Sequence, residues 1–139
     1  MIEIVPNEPQ FYEFIRVLRN DERVKHGFIN EAVITPEQQT EYMAIHADEY
    51  VVSLYDGSPA GYAGSVDGDI RVCTHPDYQG RGLGRALVEA IIGRYPNSRA
   101  KVKVENTASL RLFESCGFTA TYLLLDPPSD DSLDTREKD

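Results

Sequence analysis

The sequence predicts a single α/β domain, a mixed (α+β) sheet with helices on both faces, and three observations lead there. Two β-rich runs, at residues 50–55 and 60–66, are joined by Asp56-Gly57-Ser58, and Asp67-Gly68 gives a second hairpin signal. A further run at residues 69–75 stops at Pro76 and passes through a glycine-spaced turn into an amphipathic helix. After that helix, Ala100, Val102 and Val104 alternate, a short helix follows, and residues 118–125 read as a last strand. Antiparallel hairpins followed by strand-helix-strand-helix-strand describe a mixed sheet, and 139 residues suit one core with no internal repeat.

Each element has its own signal. Residues 2–5 are a short first strand. Pro6 and Pro9 frame the start of a helix on which Phe11, Phe14, Ile15 and Leu18 line one face. Residues 20–32 show no clear period and read as a loop holding charges, Gly27 and Phe28, with room for a short helical piece. Thr35-Pro36-Glu37-Gln38 then starts a helix, with Thr35 as cap, Pro36 at the first position and Gln38 completing a capping box. Tyr42, Met43 and His46 continue its inner face. In the strand that follows the first hairpin turn, Ala60, Tyr62, Gly64 and Val66 alternate.

The turn at residues 79–84, Gln79-Gly80-Arg81-Gly82-Leu83-Gly84, opens a helix on which Leu83, Ala86, Leu87, Ala90 and Ile91 recur at i, i+3, i+4, i+7 and i+8. The first amides of a helix lack internal partners and carry the positive end of its dipole, so strand, glycine turn and helix start form an anion site. Gly80, Gly82 and Gly84 would let phosphate approach the backbone, and Arg81 and Arg85 add fixed charge. A Walker loop is excluded, because no Gly-Lys-Ser/Thr follows. The dinucleotide fingerprint fails too, with Arg85 or Leu87 where its last glycine belongs.

Gln79-x-x-Gly82-x-Gly84, following a strand and His75-Pro76-Asp77-Tyr78, resembles the acetyl-coenzyme A loop of the GNAT acyltransferase superfamily. A second segment, residues 106–118, is similar to that family's other hallmark: an asparagine, a short helix ending Leu112-Phe113-Glu114, and Gly117-Phe118. By residue chemistry Asn106 is a helix N-cap, Leu110 and Phe113 share a face, and Gly117 is a left-handed C-cap. The resemblance implies the GNAT fold over residues 1–125, with the strands flanking the central helix splayed apart. It also implies acetyl-coenzyme A as cofactor, its pantetheine arm along Val72, Cys73 and Thr74. The pyrophosphate would then lie on Gln79, Gly80, Arg81, Gly82, Leu83, Gly84 and Arg85, with Asn106 and Phe113 also at the cofactor.

The implied reaction is direct attack of a neutral amine on the thioester carbonyl, with a backbone amide near Thr74 facing the developing oxyanion. Three slots that relatives fill with acid or base groups hold Phe113, Lys101 and Gly68 here. Strand logic leaves Asp69, His75, Tyr122, Glu105 and Tyr62 as candidates, with Asp69, His75 and Tyr122 taken as the catalytic set. Positioning, with water carrying protons, is the leading mechanism.

The acceptor region is expected in residues 19–42, with Arg19, Phe28 and Tyr42 as substrate contacts; this stretch is faintly similar to acetyltransferases of amino-sugar nucleotides. A small-molecule amine such as an amino sugar ranks first and a protein or peptide amine second. A non-catalytic coenzyme A sensor or interaction module is the reading from another class. The formal net charge of −9 argues against nucleic acid and suits a cationic amine. Six acids and two bases fall in residues 126–139, an acidic tail expected to be disordered and to take no part in the core. No apolar run approaches the roughly 18 residues that cross a membrane, and no charged-then-apolar leader stands at Met1, so a cytoplasmic protein is expected. Cys73 and Cys116 have no metal or redox spacing and read as free thiols. The oligomeric state is left open, a homodimer included.

Overall fold

A computed structural model describes residues 1–129. Four strands, β1 (Ile2–Pro6), β2 (Tyr50–Tyr55), β3 (Ser58–Val66) and β4 (Asp69–Thr74), form one antiparallel sheet in the order of the chain. The two hairpin turns are those the sequence announces. Asp56 and Gly57 stand at φ +49° and +85°, and Asp67 and Gly68 at +53° and +76°, the paired positive values that match a two-residue turn to the twist of its strands.

Helices cover both faces. On one side Phe11, in the turn before α1 (Tyr12–Asn20), packs with Ile15 and Leu18 of α1 and Met43 of α2 (Pro36–His46) against Tyr50, Val52, Tyr62 and Cys73. On the other, α3 (Leu83–Arg94) and α4 (Thr107–Ser115) pack Leu87, Val88, Ile91 and Phe113 against Val51, Ala63 and Ile70. β3 lies between the two layers and is buried from Ala60 onward on both faces. Its alternation therefore reports only half of its burial. The Thr35 capping box forms as expected: Thr35 Oγ1 accepts from Gln38 N at 3.1 Å, and Thr35 N donates to Gln38 Oε1 at 2.8 Å. A single helical turn, Lys25–Gly27, sits within the loop between α1 and α2.

Two expected strands are not built. After α3 the chain makes one parallel bridge, Asp69 to Arg99, through Ile70 N to Arg99 O (2.9 Å) and Arg99 N to Gly68 O (2.8 Å). It then leaves the sheet, so residues 100–104 add no ladder, although Ala100 and Val102 still pack on the α3/α4 layer. Residues 118–125 form no strand either. Phe118 packs edge-on to Phe113 at 5.2 Å, whereas Tyr122, Leu123, Leu124 and Leu125 are exposed. A strand needs a neighbour for its amides, and no strand among the described residues pairs with this segment. The sheet's parallel half is thus reduced to one bridge. Of the acidic tail, residues 126–129 are exposed and irregular, and residues 130–139 lie outside the described residues.

Candidate acyl-coenzyme A site

The register of β4 sets the site. Asp69, Arg71 and Cys73 oppose Val66, Gly64 and Tyr62 on β3, and His75 N donates to Ala60 O at 2.7 Å. In an antiparallel ladder, alternate residues exchange bonds with a given neighbour. Residues 69, 71, 73 and 75 therefore turn their backbone groups to β3. Ile70, Val72 and Thr74 turn theirs the other way. Ile70 meets Arg99 there, and beyond that bridge no strand among the described residues pairs with Val72 or Thr74. The two chain segments part at this point, as the resemblance implies. What results is an open strand edge, ready to accept an extended polar ligand as an added strand.

The edge runs into the glycine turn. Pro76–Tyr78 form one tight turn capped by His75, whose Nδ1 accepts from Asp77 N at 3.1 Å. Gly80 and Gly82 have φ of +78° and +84°, which a side chain disfavours, and Gly82 is the residue that opens α3. The first bond within α3 is Ala86 N to Gly82 O at 3.2 Å, and no side chain caps the helix. The amides of Leu83, Gly84 and Arg85 consequently have no acceptor in the helix, at its positive end. The Leu83 side chain itself is core, so only its amide belongs to the site.

Gly84 has a different reason from the one the glycine spacing suggests. Its φ is not positive; a Cβ there would stand 3.2 Å from Leu112 Cδ2 and 3.6 Å from Thr74 Oγ1. The missing side chain lets the start of α3 close on Thr74 and α4, which brings the strand edge and the bare helix end together. Arg81 leans on two rings, 4.9 Å from the centroid of Tyr55 and 5.6 Å from that of Tyr78. Arg85 pairs with Glu89 at 2.8 Å on the exposed face of α3. Gln79 is exposed beside them.

Asn106 caps α4 as expected, with Oδ1 accepting from Ser109 N at 3.1 Å. Its Nδ2 donates to Gly27 O at 3.3 Å, a link to the α1–α2 loop that the sequence does not announce. Lys103 reinforces it, with Nζ donating to His26 O (2.9 Å) and pairing with Glu31 (2.7 Å), while His26 Nδ1 lies 2.6 Å from the other Glu31 oxygen. Lys103 first, then His26, lowers Glu31 to about 2 from the ordinary 4.5. A carboxylate with a depressed pKa stabilises the fold above its unfolded value, and that contribution is lost as pH falls through the folded one. The clasp is therefore intact above pH 4.5 and opens toward pH 2. Over that window the melting temperature of Glu31→Gln should fall less steeply than that of the wild type; parallel curves would show that the clasp carries no stability.

Phe113 is buried within the α3/α4 layer. Gly117, at φ +92°, ends α4 as the sequence predicts, with Phe118 N reaching back to Phe113 O at 3.0 Å. The three catalytic candidates are not brought together. Asp69 begins β4 and Thr74 ends it, a separation of about 17 Å along an extended strand. Tyr122 is 71% exposed on an irregular segment. His75 is half-buried and lines a cavity of about 440 Å³ on the α1 side, with Glu13, Phe14, Asp21, Asp77 and Tyr78. Because its Nδ1 accepts a backbone amide, the proton of the neutral ring resides on Nε2, which makes that nitrogen a donor.

The acceptor candidates lie in two groups on the α1/α2 side of the sheet. The Arg19 guanidinium stacks on the Phe28 ring at 3.9 Å, and its Nη2 bonds Asn30 O. Tyr42 Oη lies 2.6 Å from Tyr50 Oη and 3.4 Å from Arg71 Nη1. Between them, burial drives the Tyr62 hydroxyl well above the usual phenol range, with Arg19 acting against it. Burial likewise pushes the Cys73 thiol up to about 12, so it is no nucleophile at neutral pH. Arg71 is the residue that sequence reading missed. Its signal was available, since period two places it on the same face of β4 as Cys73.

Residues 12–118 match the acetyltransferase (GNAT) family. The L-amino acid N-acyltransferase MnaT of Escherichia coli is 37% identical over 86 residues, 51% of this chain and 50% of that protein. The mycothiol acetyltransferase of Nocardiopsis dassonvillei is 38% identical over 96 residues, 63% of this chain and 26% of that one. The chain thus spans half the length of the first relative and about a quarter of the second. The yncA structure from Salmonella typhimurium, solved with its cofactor acetyl-CoA, superposes with a TM-score of 0.72 at 25% identity, covering 87% of this chain and 81% of that one. No helix among the described residues is long and apolar enough to cross a membrane. The matched stretch starts at α1 and ends just past the Gly117 cap, so it takes in every residue that shapes the turn and the open edge, and the chain belongs to the acetyltransferase (GNAT) family.

Proposed function

We propose that the protein is an acetyl-coenzyme A-dependent N-acetyltransferase acting on a primary amine of a small molecule. The carrying observation is the continuity of the open β4 edge with the uncapped start of α3. Extended amide acceptors and an anion-binding helix end stand in series, a fit for a ligand with an amide-bearing arm and a pyrophosphate. Acetyl-coenzyme A, when bound, supplies an acetyl group activated as a thioester.

The chain's residues would divide the work as follows. Val72 and Thr74 hold the arm through backbone groups, and the amides of residues 80–85 hold the pyrophosphate, with Arg81 and Arg85 adding charge. The Thr74 amide, on the open edge, is a donor available to a carbonyl oxygen that gains negative charge. Asn106 and Phe113 border the cofactor from α4. An ammonium acceptor must first lose its proton. His75 presents a donor at Nε2 and Asp69 is at the far end of the strand, so water along the edge is the route for that proton. The relative from Escherichia coli, named for L-amino acid N-acylation, supports an amino acid over the amino sugar expected from the sequence.

The test is thioester turnover with a panel of L-amino acids, amino sugars, polyamines and peptides bearing a free N-terminus, with products identified by mass. An N-acetylated small amine is the expected product. Coenzyme A binding with no turnover on any amine would replace the enzyme by a coenzyme A-binding module, and turnover confined to peptides would replace the small acceptor by a protein amine.

A further inference from the structure

We infer that Arg19, assisted by Arg71, binds a carboxylate of the acceptor, so that the acceptor is an amine that also carries an anionic group. The inference rests on the acetyl-transfer reading above and names the residue that would select among small amines.

In a chain of net charge −9, carboxylates are plentiful partners. Arg16 takes Glu13, Arg23 takes Asp21 and Arg85 takes Glu89. Arg19 takes none among the described residues. Its Nη2 bonds a backbone carbonyl and its plane lies on Phe28, but Nη1 is shut off from water and has no hydrogen-bond partner. A charged donor buried without an acceptor is unfavourable, and such a group persists where something else completes it. Its surroundings are those of the acceptor face. The positive charge of Arg19 reaches the Tyr62 hydroxyl and the Cys73 thiol, which lie on the α1/α2 side of β3 and β4.

Arg71 stands on that same face of β4, two residues before Cys73; its Nη1 lies 3.4 Å from the Tyr42 hydroxyl, and its charge also acts on the Tyr50 hydroxyl and, more weakly, on the Asp69 carboxylate. Arg19, which has no carboxylate partner among the described residues, and Arg71 thus both lie on the side of the sheet that carries Tyr42, Tyr50 and Tyr62. A guanidinium fork matches a carboxylate with two parallel bonds, while an ammonium at the same place would be repelled. A zwitterion held at Arg19 through its carboxylate would direct its amine toward the β4 edge.

The experiment compares wild type, Arg19→Gln, Arg19→Lys and Arg71→Gln. Each of the twenty L-amino acids is titrated by calorimetry in the presence of coenzyme A, and acetyl transfer is measured for the best of them and for the amine that lacks its carboxylate. Loss of a buried charge-assisted contact predicts that Arg19→Gln weakens amino acid binding and raises its KM by about 10–100-fold, with a smaller change in kcat. Coenzyme A affinity should stay at the wild-type value, which also shows that the variant is folded. Preference for the amino acid over its decarboxylated amine should collapse toward unity, Arg19→Lys should recover part of it, and Arg71→Gln should shift KM in the same direction by less. Amino acid binding that depends on Arg19 in a protein without transferase activity would uphold the inference while removing the transfer reading. Wild-type amino acid affinity in Arg19→Gln, no amino acid binding by the wild type, or a wild type that prefers the decarboxylated amine or a polyamine would each overturn it.

Discussion

Gly82→Val is expected to abolish coenzyme A binding in a protein that still folds. Gly82 opens α3 at φ +84°, and a Cβ there would meet only Ile2 Cδ1, at 3.9 Å. The variant therefore suffers backbone strain rather than a clash. A branched residue in the left-handed region costs about 1–2 kcal/mol, or somewhat more, which lowers the melting temperature without removing the fold. Binding is affected more, because any relaxation of that strain turns the first amides of α3 away from their common focus. Charge-assisted hydrogen bonds contribute about 1.5–3 kcal/mol each, so losing two of them reduces affinity by on the order of 100-fold or more. Calorimetry with coenzyme A and a urea melt on the same sample separate the two effects. Wild-type affinity in folded Gly82→Val would place the phosphate contacts elsewhere.

Phe113→Ala should lower stability by about 3–5 kcal/mol, the range for an aromatic ring removed from a packed core. The ring is 5% exposed, contributes to the layer that holds Leu87 and Ile91, and supports Phe118 at 5.2 Å. Loss of it removes the main contact fixing α4 and the Gly117 turn to α3. Phe113→Tyr is the informative partner. It keeps the ring and adds a hydroxyl, at a packing cost of about 1–3 kcal/mol, and acetyl transfer should stay within a few fold of wild type. A large rate gain would show that proton donation, and not positioning, limits the reaction. Urea denaturation gives the first quantity and steady-state turnover the second.

What was legible in the sequence is what is encoded within a few residues. Asp56-Gly57, Asp67-Gly68, the Thr35 box, the Gly82 turn and the Gly117 cap each depend on local dihedrals and neighbours three or four positions away. The segments at 100–104 and 118–125 look like strands by composition, but a strand exists only through its partner, and pairing is a property of the whole chain. Alternation along β3 hid its second buried face, because glycine and alanine at positions 61 and 63 do not register as core until α3 lies on them.

The candidate site divides in the same way. The helix end and its glycines announce themselves, whereas the purpose of Gly84 depends on Leu112 in another helix. Arg19 and Phe28 are recognisable as residues outside the core pattern, but their stacking across the eight intervening residues is not. The far position of Asp69 follows from strand rise alone, since five residue steps of extended chain separate it from Thr74.

The two cysteines sit on opposite sides of the sheet. Cys73 belongs to the α1/α2 layer and Cys116 packs on the α3/α4 layer. With its thiol raised by burial to about 12, Cys73 stays protonated at pH 8, and alkylation is expected to wait until α1 or α2 lifts. Cys116, half-buried at the end of α4, needs only the last turn of that helix to fray. Mass spectrometry after timed exposure to iodoacetamide can count the two adducts in one sample. The Cys73 rate would time the lifting of α1 or α2 from the acceptor side, and the Cys116 rate the fraying of the end of α4 on the cofactor side.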